Sequence, residues 1–235
     1  MPLFALDKSL IFPPVDLSEP DGLLAMGGDL STERLLTAYK SGIFPWYEGD
    51  TPLWWCPDPR FVLFPGELKV SKSMKSLLRN KSFTFTVNRD FASVIRQCKL
   101  TARKDQDGTW ITDEVEHAYI KLHKLGYAHS AEVWEGTAHS DADVSSSVLS
   151  DTGVAEGARL VGGLYGIRMG HVFFGESMFS KVSNASKYAF ISYVEQLGAE
   201  GVKLIDCQVY TEHLESLGAR MISRKGFMDL LKEWL

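Results

Sequence analysis

Cysteine is scarce in this chain. Cys56, Cys98 and Cys207 stand far apart among 235 residues, odd in number and without C-x-x-C spacing. That pattern excludes a disulfide framework and a cysteine zinc site, and it fits a reducing cytoplasm. Long apolar runs are missing too: no stretch approaches the roughly 20 residues of a membrane span. Residues 1–8 lack a basic segment leading into a long apolar one, so neither a membrane anchor nor a secretion signal is expected. Positive charge is not in excess: 25 Lys and Arg against 30 Asp and Glu leave a net charge of −5. Any contact with nucleic acid must therefore come from a local patch. Of the histidines, His117 and His123 are too far apart to share a helix face, and His129 falls in a strand. All three read as structural or surface residues, and no metal is expected.

What is present is the composition of an ordinary globule with a real core, 45% apolar and 23% charged. Residues 1–65 are rich in proline, glycine and tryptophan and read as a small N-terminal α/β domain; residues 66–235 form the second unit. In the first, Ser31 caps a helix whose apolar face carries Leu35, Leu36 and Tyr39, and Gly42 ends it. Pro57 and Pro59 force an extended path. Trp54 and Trp55 read as core. For Trp46, in a loop bounded by glycine and proline, an exposed stacking surface and a packed residue are both open. Residues 71–81 form a short amphipathic helix with Lys72, Lys75 and Arg79 on one face and Met74, Leu77 and Leu78 on the other. That basic face fits a solvated surface as well as a phosphate-binding patch.

The following stretches alternate between strand and helix: strand 83–87, helix 90–98, and a helix capped by Thr112 and running to about 125. Trp110 precedes that cap and is either a staple onto the helix or a side chain facing a cleft. Strands follow at 128–135 and 159–168. Between them, 136–158 is poor in large apolar residues and reads as a flexible hairpin insertion. After a turn at Met169-Gly170 comes a unit of strand, turn, helix and strand, from His171 to Gln208, in which Ser183 or Asn184 caps the helix. Glu176, Asp206 and Gln208 are polar residues on its otherwise apolar strands; such groups mark a hydrogen-bond network or a site. The pattern as a whole is α+β: a GNAT-like mixed, mostly antiparallel sheet flanked by helices. An acetyl-CoA-dependent N-acetyltransferase is the reading that this fold alone invites. The turn Lys181-Val-Ser-Asn-Ala-Ser-Lys lacks the paired glycines of that superfamily's pyrophosphate loop and argues against it. A non-catalytic binder of tRNA or peptide N-termini is a third reading.

Seven motifs occur in order: Gly22-Leu-Leu-Ala-Met-Gly-Gly-Asp-Leu, Gly42-Ile-Phe-Pro-Trp, Trp54-Trp-Cys-Pro-Asp-Pro-Arg, Gly108-Thr-Trp-Ile-Thr, Gly175-Glu-Ser-Met-Phe-Ser, Asn184-Ala-Ser-Lys and Leu204-Ile-Asp-Cys-Gln. Together they resemble the bacterial leucyl/phenylalanyl-tRNA–protein transferase family over nearly the whole chain. The resemblance implies transfer of Leu or Phe, with Met as a third candidate, from aminoacyl-tRNA to proteins bearing N-terminal Arg or Lys. That addition marks the acceptors for degradation. It implies no cofactor and a cytoplasmic enzyme, with a monomer expected. By the same resemblance, Leu164, Phe173, Met178, Phe190 and Ile205 line the aminoacyl pocket, and Glu176 accepts from the α-ammonium of the bound aminoacyl group. Trp46 and Trp110 hold the terminal adenosine, Lys72, Lys75 and Arg79 meet acceptor-stem phosphates, and Asp206 and Gln208 are the catalytic pair. The reaction is aminolysis of an ester. A neutral amide accepts hydrogen bonds but hardly a proton, so Gln208 is expected to orient the amine, with Asp206 fixing or charging the cleft.

Overall fold

The computed structural model describes residues 3–101, 109–136, 154 and 157–235. The hairpin insertion expected at 136–158 lies almost wholly outside them. The chain begins with strands β1 (Phe4–Leu6) and β2 (Leu23–Gly27), helix α1 (Thr32–Lys40), and strands β3 (Phe44–Pro45) and β4 (Leu53–Trp55). The four strands make a small sheet in the order β1-β2-β4-β3, with β1 and β2 parallel. Ser31 caps α1 as expected, its side chain accepting from the Arg34 amide at 3.4 Å. Trp54 is fully buried and satisfies its indole N–H on the Gly27 carbonyl at 2.8 Å, whereas Trp55 is half-buried.

The chain then continues through β5 (Arg60–Leu63), α2 (Lys72–Arg79), β6 (Thr84–Val87), α3 (Phe91–Leu100), α4 (Asp113–Lys124), β7 (Ala128–Glu135), β8 (Arg159–Met169) and β9 (Val172–Ser180). It ends with α5 (Ala185–Ala199), β10 (Leu204–Gln208), α6 (Glu212–Glu215), β11 (Arg220–Ile222) and α7 (Arg224–Trp234). A seven-stranded sheet has the order β11-β5-β10-β9-β8-β7-β6. Only β9 and β10 pair in parallel within it, because α5 carries the chain back across the sheet between them. The architecture among the described residues is thus α+β, with two mixed sheets and seven α-helices.

β5 belongs to the large sheet although the sequence groups residues 60–63 with the N-terminal stretch. The cores also merge. Leu24, Phe44 and Trp54 of the small sheet share one apolar cluster with Ile95 of α3, Tyr119 of α4 and Phe227 of α7, on one face of the large sheet. On the other face α5 buries Ala189, Phe190 and Val194 together with Met74 of α2 and Leu214 of α6. Each large side chain so buried contributes about 1.5–3 kcal/mol. Strand alternation divides the sheet between the clusters: Phe174 faces the first and Phe173 the second.

The cap of α5 differs from expectation. Asn184 occupies the N-cap position but lies in the left-handed region, at φ +67°, and makes no side-chain cap bond. Ser180, at the end of β9, reaches back instead and accepts from the Ser186 amide at 3.2 Å. The three histidines have structural partners: His117 and His123 bond the carbonyls of Asp113 and Ala128, and His129 bonds Asn88 and the Gly126 carbonyl. No helix among the described residues is long and apolar enough to cross a membrane.

Two bulges shape the centre of the large sheet. On β9, Gly175 pairs with Gly166 and Ser177 with Tyr165, so Glu176 is an extra residue without a partner on β8. On β10, Asp206 pairs with Val62 and Gln208 with Phe61, so Cys207 is extra. A bulge turns the side chains beside it out of strict alternation. Here both bulges fall where the pairing of β9 with β10 ends, at Phe174 and Asp206. Gly166 allows the close approach at the first: a Cβ there would stand 2.2 Å from the Phe174 carbonyl oxygen and 2.5 Å from the Phe173 ring. Gly166→Ala is expected to cost about 1–3 kcal/mol, read as a lowered midpoint of thermal unfolding. An unchanged midpoint would show that the bulge is not tightly packed.

Candidate active site

The turn of β9 at its bulge puts the Glu176 carboxylate among hydroxyl groups from two helices. Tyr39 of α1 donates to Oε1 at 2.8 Å and Tyr119 of α4 donates to Oε2 at 3.1 Å. The two tyrosine hydroxyls also bond each other. Gln208 donates its Nε2 to Oε1 at 3.1 Å across the gap between β9 and β10. Loss of hydration pushes the Glu176 carboxyl up to about 7; the tyrosine hydrogen bonds act against that rise, and the Asp206 charge adds to it. Burial and the Glu176 charge push both tyrosines well above their ordinary range, so they stay protonated donors.

Asp206 is completely buried. Arg60 of β5, also buried, holds both its oxygens in a fork, Nε to Oδ1 at 2.8 Å and a terminal nitrogen to Oδ2 at 2.6 Å. The rings of Phe44 and Phe227 lie 4.7 and 4.6 Å from the guanidinium. Burial alone would weaken the charge on Arg60, but the charge and hydrogen bonds of Asp206 outweigh it and hold the guanidinium protonated. Asp206 Oδ1 also accepts from the Gln208 backbone amide at 3.0 Å. Gln208 lies in the left-handed region, at φ +63°, where a non-glycine residue persists only if its surroundings hold it. The ion pair supplies that hold. Asp206 is therefore sealed away, and it fixes the backbone that aims Gln208.

A cavity of about 350 Å³ opens between the parted strands. Leu164, Phe173, Met178, Phe190 and Ile205 line it with Leu214 of α6, and its polar lining includes Glu176, Ser177, Asp206, Gln208, Thr211 and His213. A second cavity, of about 100 Å³, is lined by Phe44, Pro45, Trp46, Trp110, Glu176, Gln208 and Val209. Glu176 and Gln208 thus stand at the junction of an apolar chamber and an aromatic one.

The family models and the related sequences agree on one family. A family model described as leucyl/phenylalanyl-tRNA protein transferase matches residues 62–140 and 146–232, and the model of its N-terminal domain matches residues 28–58. A protein of Syntrophobacter fumaroxidans named leucyl/phenylalanyl-tRNA–protein transferase is 53% identical over 99% of this chain and 91% of its own length. The one so named in Flavobacterium johnsoniae is 52% identical over 98% of this chain and 99% of its own length. The chain belongs to the leucyl/phenylalanyl-tRNA protein transferase family. Among solved structures, L-PGS from Bacillus licheniformis matches with a TM-score of 0.39 and 14% identity over 78% of this chain. The chain spans about half of that structure's length (55%), and the likeness is too slight to carry an argument.

Against this family assignment, the residues singled out by sequence fall in three places. The six pocket residues share the larger cavity, and Asp206 and Gln208 join them there, although Asp206 has no exposed surface. Trp46 and Trp110 share the smaller one, but unequally: Trp46 is 37% exposed and leans on Trp55, whereas Trp110 is 4% exposed. Trp110 is thus a core residue that offers the cavity little surface. Lys72, Lys75 and Arg79 are exposed on α2, which Ser71 caps, and none of the three is in an ion pair with a described residue. Sequence reasoning missed Arg60, Tyr39 and Tyr119. Arg60 had a signal, a charge opening the apolar strand Arg-Phe-Val-Leu; the tyrosines had none, since tyrosine at helical spacing reads as core.

Proposed function

We propose that this transferase-family chain moves a leucyl or phenylalanyl group, with methionyl as a third substrate, from aminoacyl-tRNA to the α-amine of proteins with N-terminal Arg or Lys. The added residue would mark the acceptor for degradation. The observation that carries this is the junction of the two cavities at Glu176 and Gln208. A leucyl, phenylalanyl or methionyl side chain fits the larger chamber, where the unbranched Met178 adapts to its shape among Leu164, Phe173, Phe190 and Ile205. The terminal adenosine stacks on Trp46, with Trp110 behind it. Glu176 retains one unused lone-pair position on Oε2, suited to an N–H of the substrate. The exposed cations of α2 take acceptor-stem phosphates. The parting of parallel β9 and β10 supports a GNAT-like reading of the sheet. This reading needs no cofactor and puts the chain in the cytoplasm, as a monomer.

The chemistry is ester aminolysis. The acceptor nitrogen bonds to the aminoacyl carbonyl carbon, the carbonyl–ribose C–O bond breaks, and a proton from nitrogen ends on the ribose oxygen, passed along by the neighbouring ribose hydroxyl. Gln208, with its Nε2 engaged by Glu176, has its amide oxygen left to orient the amine. Proximity supplies most of the acceleration. The test is incubation with labelled Phe-tRNA, and separately labelled acetyl-CoA, and a protein beginning with Arg. Acid-stable label from Phe-tRNA alone is expected; label from acetyl-CoA, or binding of Phe-tRNA without transfer, would overturn the reading. Replacing Lys72, Lys75 and Arg79 together by Ala is expected to weaken tRNA binding roughly tenfold and to flatten its salt dependence. An unchanged salt slope would make α2 an ordinary solvated face.

A further inference from the structure

The ring of Glu176, Tyr39 and Tyr119 has a proton count that the proposed reaction does not use. It contains three contacts: Tyr39 to Glu176, Tyr119 to Glu176, and Tyr39 to Tyr119. The two hydroxyls bring only two protons. With Glu176 ionised, both tyrosines donate to it and their own oxygens meet without a proton between them, or one tyrosine turns to the other and a carboxylate contact is lost. A third proton, on the carboxyl, lets every contact be a hydrogen bond running one way round the ring. The ring can thus take up one proton and hold it without rearranging a side chain. It sits at the junction of the two cavities, where Gln208 also bonds Glu176.

We propose that Glu176 is a catalytic residue that takes the surplus proton from the acceptor's α-ammonium, with Tyr39 and Tyr119 as positioning residues. The inference rests on the transferase reading above. An α-amine with a pKa near 7.7–8.0 arrives mostly as ammonium at neutral pH and cannot attack. In the step, one N–H bond of the ammonium breaks and an O–H bond forms on Glu176, leaving a neutral amine. That amine attacks the ester, and its next proton goes to the departing ribose oxygen. Glu176 then gives the stored proton to water. No oxidant or further reactant is required. The carboxyl's position near 7 suits a group that must both accept and release a proton there. The titratable and charged groups facing it are Tyr39 from α1 and Tyr119 from α4, the latter backed by Tyr165 of β8. Asp206 of β10 and Arg60 of β5 lie beyond them, paired with each other.

The experiment is the pH dependence of single-turnover transfer from Phe-tRNA to an Arg-initiated peptide, for the unmodified chain, Glu176→Gln and Tyr39→Phe, each first checked for a cooperative thermal transition. Glu176→Gln keeps the shape but cannot take a proton. Its transfer is expected to fall roughly tenfold near pH 6.5, where few acceptor amines are neutral, and to approach the unmodified rate near pH 9, where most are. Tyr39→Phe removes a hydrogen bond that favours the carboxylate, so the acid limb of the profile should move to higher pH. An equal loss for Glu176→Gln at both pH values would overturn the inference and leave Glu176 a binding group. Absence of transfer by the unmodified chain would instead sink the transferase reading itself.

Discussion

Asp206→Ala is expected to cost about 3–5 kcal/mol, because it leaves the buried Arg60 guanidinium without its counter-charge. Domains of this kind hold only about 5–15 kcal/mol in all, so the loss is a large share of the total. Denaturant unfolding would measure it, and an unchanged midpoint would contradict the geometry. The double change Arg60→Met with Asp206→Leu separates stability from function. Replacing both partners of a buried pair by apolar side chains of similar size is often close to neutral, so the stability should largely return. Transfer should not. The Gln208 amide would still lack its acceptor, and the left-handed turn that aims the side chain would relax. Full transfer in the double variant would show that Asp206 has no positioning role.

Met178→Trp should abolish most of the activity without unfolding the chain. Met178 is half-buried on β9, opposite Leu164 on β8, and both line the larger cavity. A tryptophan there grows into space the protein leaves empty, so it displaces no core atoms. It occupies the place proposed for the phenylalanyl or leucyl side chain, and the ester is then held away from Gln208. Misplacement by about 1 Å is enough to cost on the order of 100-fold, and transfer from Phe-tRNA should fall at least that far. The unfolding midpoint should stay within a few degrees of the unmodified chain's. Single-turnover transfer and thermal unfolding check both halves; transfer retained near the unmodified rate would mean that the aminoacyl group binds elsewhere.

Much of the fold is legible along the chain because it is written in local chemistry. Ser31 and Thr112 cap the helices expected of them, since a hydroxyl one position before an apolar periodic stretch satisfies free amides whatever lies around it. The strand at 128–135 and the helix following Asn184 are likewise where period and glycine boundaries put them. Asn184 takes the N-cap position of α5 as the sequence suggests, but the side chain that bonds there is Ser180 folding back from β9, a contact set by a turn and not by composition. Nothing local places β5 in the large sheet, because its pairing with residues 204–208 joins distant chain segments.

The same division runs through the candidate site. The apolar lining and the polar trio Glu176, Asp206 and Gln208 could be picked out because polar residues on buried strands are conspicuous. Their roles could not. Asp206 stands two residues from Gln208 on one strand, and the family resemblance makes them a catalytic pair. Only the tertiary structure brings Arg60 from 146 residues away to claim both Asp206 oxygens. Likewise it brings Tyr39 and Tyr119, 80 residues apart, onto one carboxylate. The sequence by itself determined the elements, the family resemblance and the residue types at the cleft, all of which rest on neighbours within a few positions. The tertiary structure decided that Asp206 is locked to a buried arginine and that Glu176 stands where the two cavities meet. Ion pairs and desolvation depend on what surrounds a group in space, and the order of residues along the chain does not record that.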